Sequence, residues 1–146
     1  MIVGAVLLDF SAAFGIIDHS LLLEKHMCYG FTPPVIMWIK RYLSNRTQRV
    51  FFNGSLSNII PVESGIPQGS CLGPLLFSIF TNDMPLALSK AMYADDSTIY
   101  MSATTVTEMT ATLNKELQLV SEWVARNKLV LNISKTKSIV FGTNHS

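Results

Sequence analysis

Apolar residues run without a break from Ile2 to Leu8, a length that suits one β-strand, and the run ends at Asp9. The pattern predicts a buried strand with an acid at its carboxyl end. Asp18 or Ser20 can cap a helix that runs to about Tyr29 and stops at Gly30, and Pro33-Pro34 opens another that continues through Trp38 to Leu43. Residues 48–53 and 57–62 read as strands around Asn53-Gly54-Ser55-Leu56, where Asn-Gly is a strong hairpin signal, and would make a surface ribbon. Gly65 to Ser70 has the composition of a loop. It feeds an apolar helix expected over residues 72 to about 88, in which Pro74 is tolerable only in the first turn. Met109, Leu113, Leu117, Val120 and Val124 then mark the apolar face of a helix over residues 107–127. Residues 129–133 and 138–141 resemble a closing strand pair. Together these elements predict an α+β fold, an antiparallel sheet with helices packed on one face.

Between the central helix and the long one lies Tyr93-Ala94-Asp95-Asp96, flanked by apolar, β-type residues at 91–92 and 97–101. The acids therefore sit where an antiparallel hairpin reverses direction. Two carboxylates held together repel unless a cation neutralises both, and hard oxygen ligands select Mg²⁺ or Mn²⁺. A solvated Asp-Asp turn is the plain alternative, since Asp is a common turn former. Asp9, at the end of a neighbouring strand, would bring a third carboxylate to the same edge. Three such groups suffice to hold two metals roughly 3.5–4 Å apart, an arrangement that drives phosphoryl transfer.

With 146 residues, 49% of them hydrophobic and only 14% charged, the chain should fold as one domain rather than remain disordered. Its net charge of +1 creates no long-range field, so any nucleic-acid contact must be local. Arg41, Arg46 and Arg49, with Trp38 and Tyr42, could touch a nucleic-acid backbone or form a solvated basic face. Cys28 and Cys71 are too few for a disulfide framework or zinc site, and His19 and His26 lack a nearby acid to complete a metal site. The apolar N-terminus lacks a basic region and is interrupted by Asp9, so neither a signal peptide nor a membrane span is expected.

The order of these motifs resembles the palm of reverse transcriptases, specifically those of non-LTR (LINE-type) retrotransposons, over nearly the whole chain. Asp9-Phe10-Ser11-Ala12-Ala13-Phe14 with Ile17-Asp18-His19 is similar to the first palm motif, Gly65 to Phe77 to the second, Tyr93 to Asp96 to the third, and Asn132-Ile133-Ser134-Lys135-Thr136 to the fourth. The resemblance implies an RNA-directed DNA polymerase, with Asp9, Asp95 and Asp96 as catalytic acids that hold two Mg²⁺ or Mn²⁺ ions. Lys135 would lie near the triphosphate, Phe14 would exclude a ribose 2′-hydroxyl, and Gly65, Gln68 and Gly69 would approach the template base and incoming nucleotide. Read from the residues alone, a core ring is the plain alternative for Phe14 and a solvated strand-edge side chain that for Lys135. The implied partners are an RNA template, a DNA primer and deoxynucleoside triphosphates, in the nucleus or cytoplasm. Residues 1–146 would be a partial domain, a palm with fingers and thumb largely absent. That truncation keeps open a catalytically inert remnant serving as an RNA-binding or protein-interaction module. Uncovered apolar edges would also allow self-association. The family usually has Asp where this chain has Gly15, which removes a hydrogen-bonding side chain and would loosen the turn holding Phe14.

Overall fold

The computed structural model describes residues 1–85, 89–93 and 96–142. Four strands form the main sheet in the order β6-β7-β1-β8: β1 Ile2–Leu8, β6 Ser89–Tyr93, β7 Asp96–Ala103 and β8 Lys137–Phe141. Every pairing is antiparallel, and β1 lies between β7 and β8. Burial alternates along β1: Gly4, Val6 and Leu8 are buried, whereas Leu7 is exposed. Its unbroken apolar run is therefore covered on one face only, which corrects the expectation of a strand buried throughout. Ile99 shares the covered face, while Leu7, Tyr100, Ile139 and Phe141 are exposed.

There are four α-helices among the described residues, α1 His19–Cys28, α2 Pro33–Leu43, α3 Gly73–Thr81 and α4 Val106–Arg126; α4 packs on β1 and β7 over the buried face, and α1 packs against α2 and α3. On α4 the side chains buried at Met109, Leu113, Glu116, Val120 and Trp123 recur every three to four residues, with Val124 beside the last, the stripe that seats a helix on a sheet. Gly4 makes that seat possible. A Cβ there would overlap the Met109 side chain and come within 3.0 Å of Leu113 Cδ1. The α1 helix is capped by Asp18, whose Oδ1 accepts from Leu21 N–H at 3.0 Å. At the other end of α1, Lys25 Nζ donates to Asp83 Oδ1 at 2.5 Å and to the Phe80 carbonyl at 2.8 Å. Its ammonium also lies 4.5 Å from the Phe80 ring centre and 4.8 Å from that of Trp123. Trp123 Nε1 donates to the same Asp83 oxygen at 3.2 Å, so one half-exposed carboxylate ties α1 to the end of α3 and to α4.

Three further expectations need correction. The central helix ends at Thr81, well short of residue 88, because the chain turns at Asn82 and Asp83 and Pro85 disfavours helical geometry at Met84. The ribbon is finer than two long strands: β2 Thr47–Gln48 pairs with β5 Ile60–Pro61, and β3 Phe51–Phe52 with β4 Ser55–Leu56. Asn53 and Gly54 both have positive φ, 52° and 81°, so they form the whole two-residue turn and Ser55 already belongs to the returning strand. Finally, residues 129–133 do not pair with β8. They contribute a single bridge, Leu131 to Phe10, while β8 pairs with β1. Among the described residues, no helix is long and apolar enough to cross a membrane.

Candidate active site

Asp9 is the first residue past β1, and Asp96 is the first residue of β7. The pairing of these strands ends at Leu8↔Ser97, so Asp9 and Asp96 are the next residues at the same end of two adjacent strands. Because side chains alternate along a strand, both acids fall on the face opposite buried Leu8 and Ser97, the face without helices. The sheet thus puts two of the three predicted acids at the same end of neighbouring strands. Asp95, the third, lies outside the described residues. The hairpin that carries it is in register up to Tyr93↔Asp96. Among the described residues no group of three metal-ligating side chains occurs. Asp9 and Asp96 make no ion pair with a described residue, and as oxygen donors at one open edge they suit a hard divalent cation.

The backbone of Asp9 is clasped by the fourth-motif segment. Asn132 N–H donates to the Asp9 carbonyl at 2.8 Å, and Asp9 N–H points to Thr136 Oγ1 at 3.4 Å. Between these anchors the chain makes a turn, with Lys135 and Thr136 N–H both donating to the Asn132 carbonyl at 3.2 and 2.9 Å. Lys135 is exposed on a turn that is pinned to Asp9 at both ends. Asn132 and Thr136 were read only as part of a motif. Their capacity for local side-chain and backbone bonding was the available signal for this clasp.

The second motif docks on the first through backbone. Gly65 N–H donates to Ile17 carbonyl at 2.8 Å, and Ile66 N–H to Phe14 carbonyl at 2.6 Å. Gly65 has φ of 85°, and a Cβ on it would sit 2.7 Å from the Gly15 carbonyl oxygen. His19 Nε2 donates to the Gly65 carbonyl at 2.7 Å, a strut that sequence reasoning missed because the residue was weighed as a metal ligand and as part of the first motif, not as a link to the second. Phe14, in a short 3₁₀ turn at Ala13–Gly15, packs on Phe77 with ring centres 5.1 Å apart. The turn is therefore held from outside despite Gly15, around which a Cβ would find open space.

Phe14 is only partly covered and lines a cavity of about 540 Å³ together with Gln68, Gly69, Ser70, Cys71 and Pro74. Gln68 and Gly69 are exposed there, and Ser70 Oγ accepts at 3.1 Å from the N–H of Gly73, the first residue of α3. Gly65 itself is buried at the rear, where it joins the two motifs rather than lining this cavity.

The family profile described as "Reverse transcriptase (RNA-dependent DNA polymerase)" matches residues 3–143. The chain is 34% identical over 94% of its length to the "RNA-directed DNA polymerase from mobile element jockey" of Drosophila funebris, covering 16% of that protein. It is 32% identical to the protein of the same name from Drosophila melanogaster, over 95% of this chain and 16% of that one. It is also 33% identical to the "Probable RNA-directed DNA polymerase from transposon BS" of Drosophila melanogaster, over 91% of this chain and 16% of the relative. The chain thus spans about one sixth of the length of these relatives.

Proposed function

Since the chain belongs to the reverse transcriptase (RNA-dependent DNA polymerase) family, we propose that it acts as the palm of an RNA-directed DNA polymerase that adds deoxynucleotides to a primer 3′-hydroxyl. That hydroxyl attacks the α-phosphorus of a triphosphate paired with an RNA template. A new phosphodiester bond forms, the bond between the α-phosphorus and its bridging oxygen breaks, and pyrophosphate leaves. The observation that carries the reading is the antiparallel pairing of β1 with β7 up to Leu8↔Ser97, which leaves Asp9 and Asp96 as the next residues at the same end of the two central strands. Asp9, Asp96 and the neighbouring Asp95 would hold two Mg²⁺ or Mn²⁺ ions, which lower the pKa of an attacking hydroxyl and neutralise charge on the phosphates.

The chain's own groups supply position. Phe14, fixed by Phe77 and by the bond from Ile66, would lie against the deoxyribose and leave no room for a 2′-hydroxyl. Gln68 and Gly69, exposed at the mouth of the same cavity, would meet the nucleotide, and glycine there lets backbone come close. Lys135 would reach toward the triphosphate from the turn pinned to Asp9 and supply a proton to the departing pyrophosphate.

Primer extension on an RNA template, with deoxynucleotides and Mg²⁺ or Mn²⁺, tests this reading in the purified chain beside Asp9→Asn and Asp95→Asn variants shown to be folded by thermal melting. Extension lost in both variants is the expected result. Extension retained by either would remove that acid from the proposed site, and a folded chain without extension would favour the inert remnant.

A further inference from the structure

The net charge of +1 conceals a strong segregation. From residue 25 to residue 62 the chain carries Lys25, Lys40, Arg41, Arg46 and Arg49, five of its eleven Lys and Arg residues, and none of its ten Asp and Glu residues. Only Lys25 of these makes an ion pair among the described residues, with Asp83. The other four cations lie at the end of α2 and on the ribbon that follows, and Lys40, Arg41, Arg46 and Arg49 are all exposed. A local cluster of unpaired cations attracts a polyanion even when the molecule as a whole is nearly neutral.

The same ribbon displays aromatic surface. Phe51 is 69% exposed and Phe52 78%, and as successive strand residues they point to opposite faces of the ribbon. Neither face is covered there. The ribbon is held by the strand pairs, by Val50 N–H donating to Ser57 Oγ at 2.8 Å and by its tight turn, so its rings are presented on an ordered arm. At its base, Arg46, Thr47 and Gln48 line a cleft of about 290 Å³ with Gly65, Pro67 and Gln68. Pro67 and Gln68 also line the cavity beside Phe14, so the cleft and the candidate nucleotide site adjoin across these two residues.

We propose that this ribbon is a landing surface for single-stranded RNA, with Arg46 and Arg49 holding phosphates, bases stacking on the ribbon phenylalanines, and the strand led through the Arg46 cleft toward Gln68. Arginine for phosphate combined with aromatic rings for bases is the chemistry of sequence-tolerant single-strand binding. A purely apolar partner would leave the four cations without counter-charges. Identifying the strand as template rests on the polymerase reading; the binding itself does not.

The test is fluorescence anisotropy of a labelled, unstructured oligouridine titrated with the whole chain between about 50 and 200 mM salt. For single strands the slope of log affinity against log salt falls by roughly 0.7 for each phosphate contact removed, so Arg46→Ala/Arg49→Ala should flatten it by about 1.4. Arg46→Lys/Arg49→Lys should keep the slope. Phe51→Ala or Phe52→Ala should weaken binding about tenfold with the slope unchanged, and tryptophan at the affected position should restore it. Asp9→Asn should bind RNA like the parent while losing extension, so failure of the polymerase reading and failure of this one separate. Unchanged affinity and slope in the double alanine variant would overturn the proposal. So would sedimentation showing that Phe52→Ala dissolves a self-associated species while RNA affinity stays the same.

Discussion

Gly65→Ala places a methyl group where the loop of the second motif meets the turn after β1. Two costs follow. At φ of 85° an L-residue adopts the left-handed region, which costs about 1–2 kcal/mol relative to glycine. The new Cβ would also stand 2.7 Å from the Gly15 carbonyl oxygen and 2.9 Å from its carbon, both backbone atoms that cannot rotate away, which costs about 1–3 kcal/mol. Reduced freedom of the unfolded chain offsets roughly 0.4–1 kcal/mol of this. The net loss is about 1–5 kcal/mol, and at about 2–4 °C per kcal/mol for a domain near this size the melting temperature should fall by roughly 2–20 °C. Gly69→Ala provides the control, because its φ of 76° carries the same backbone cost while nothing lies within 4 Å of its Cβ. It should lose only about 1 kcal/mol. Thermal melts followed by circular dichroism, with urea titrations for free energies, measure both. Equal losses in the two variants would refute the claim that backbone contact with Gly15 joins the motifs. The same measurement on Gly15→Asp should show almost no change, since that position faces open space.

The Lys25 cluster should respond asymmetrically. Burial pulls the Lys25 ammonium below its usual range while the Asp83 carboxylate opposes that shift, and the side chains are 12% and 44% exposed respectively. Asp83→Asn strands a buried cation and should cost about 3 kcal/mol. Lys25→Met leaves a carboxylate that water can reach and should cost about 1 kcal/mol in urea titrations, so the reverse order would contradict this account. Asp18 is held below the usual carboxylate range chiefly by the hydrogen bond from Lys128, with Nζ 2.6 Å away, and also by the Leu21 N–H. Its folded pKa is depressed, so its stabilisation is present above the unfolded value of about 3.9 and disappears as pH falls through the lower folded value. Asp18→Asn keeps a good helix cap but removes the charge. Its melting temperature should lie below the parent's at neutral pH and converge with it in strong acid; a pH-independent gap would show that the charge is not the cause.

What was legible in the chain was what short stretches decide by themselves. The helices after Asp18 and Pro33, and the long helix expected over 107–127 and found at Val106–Arg126, follow from caps, prolines and apolar spacing, all local properties of backbone and side chain. The Asn53-Gly54 turn and the acidic hairpin were readable for the same reason. The candidate site was legible as a set of motifs, because its chemistry demands particular residue types in a particular order. Tertiary structure decided which elements meet. Residues 129–133 have strand composition, yet β8 takes the place beside β1, because pairing depends on a partner distant in the chain rather than on propensity. An apolar run could not reveal that one face of β1 stays open, since periodicity reports polarity and not coverage. Nor could composition place His19 against Gly65, or Asn132 against Asp9. Those hydrogen bonds join positions 46 and 123 residues apart and arise only once the sheet and helices have packed.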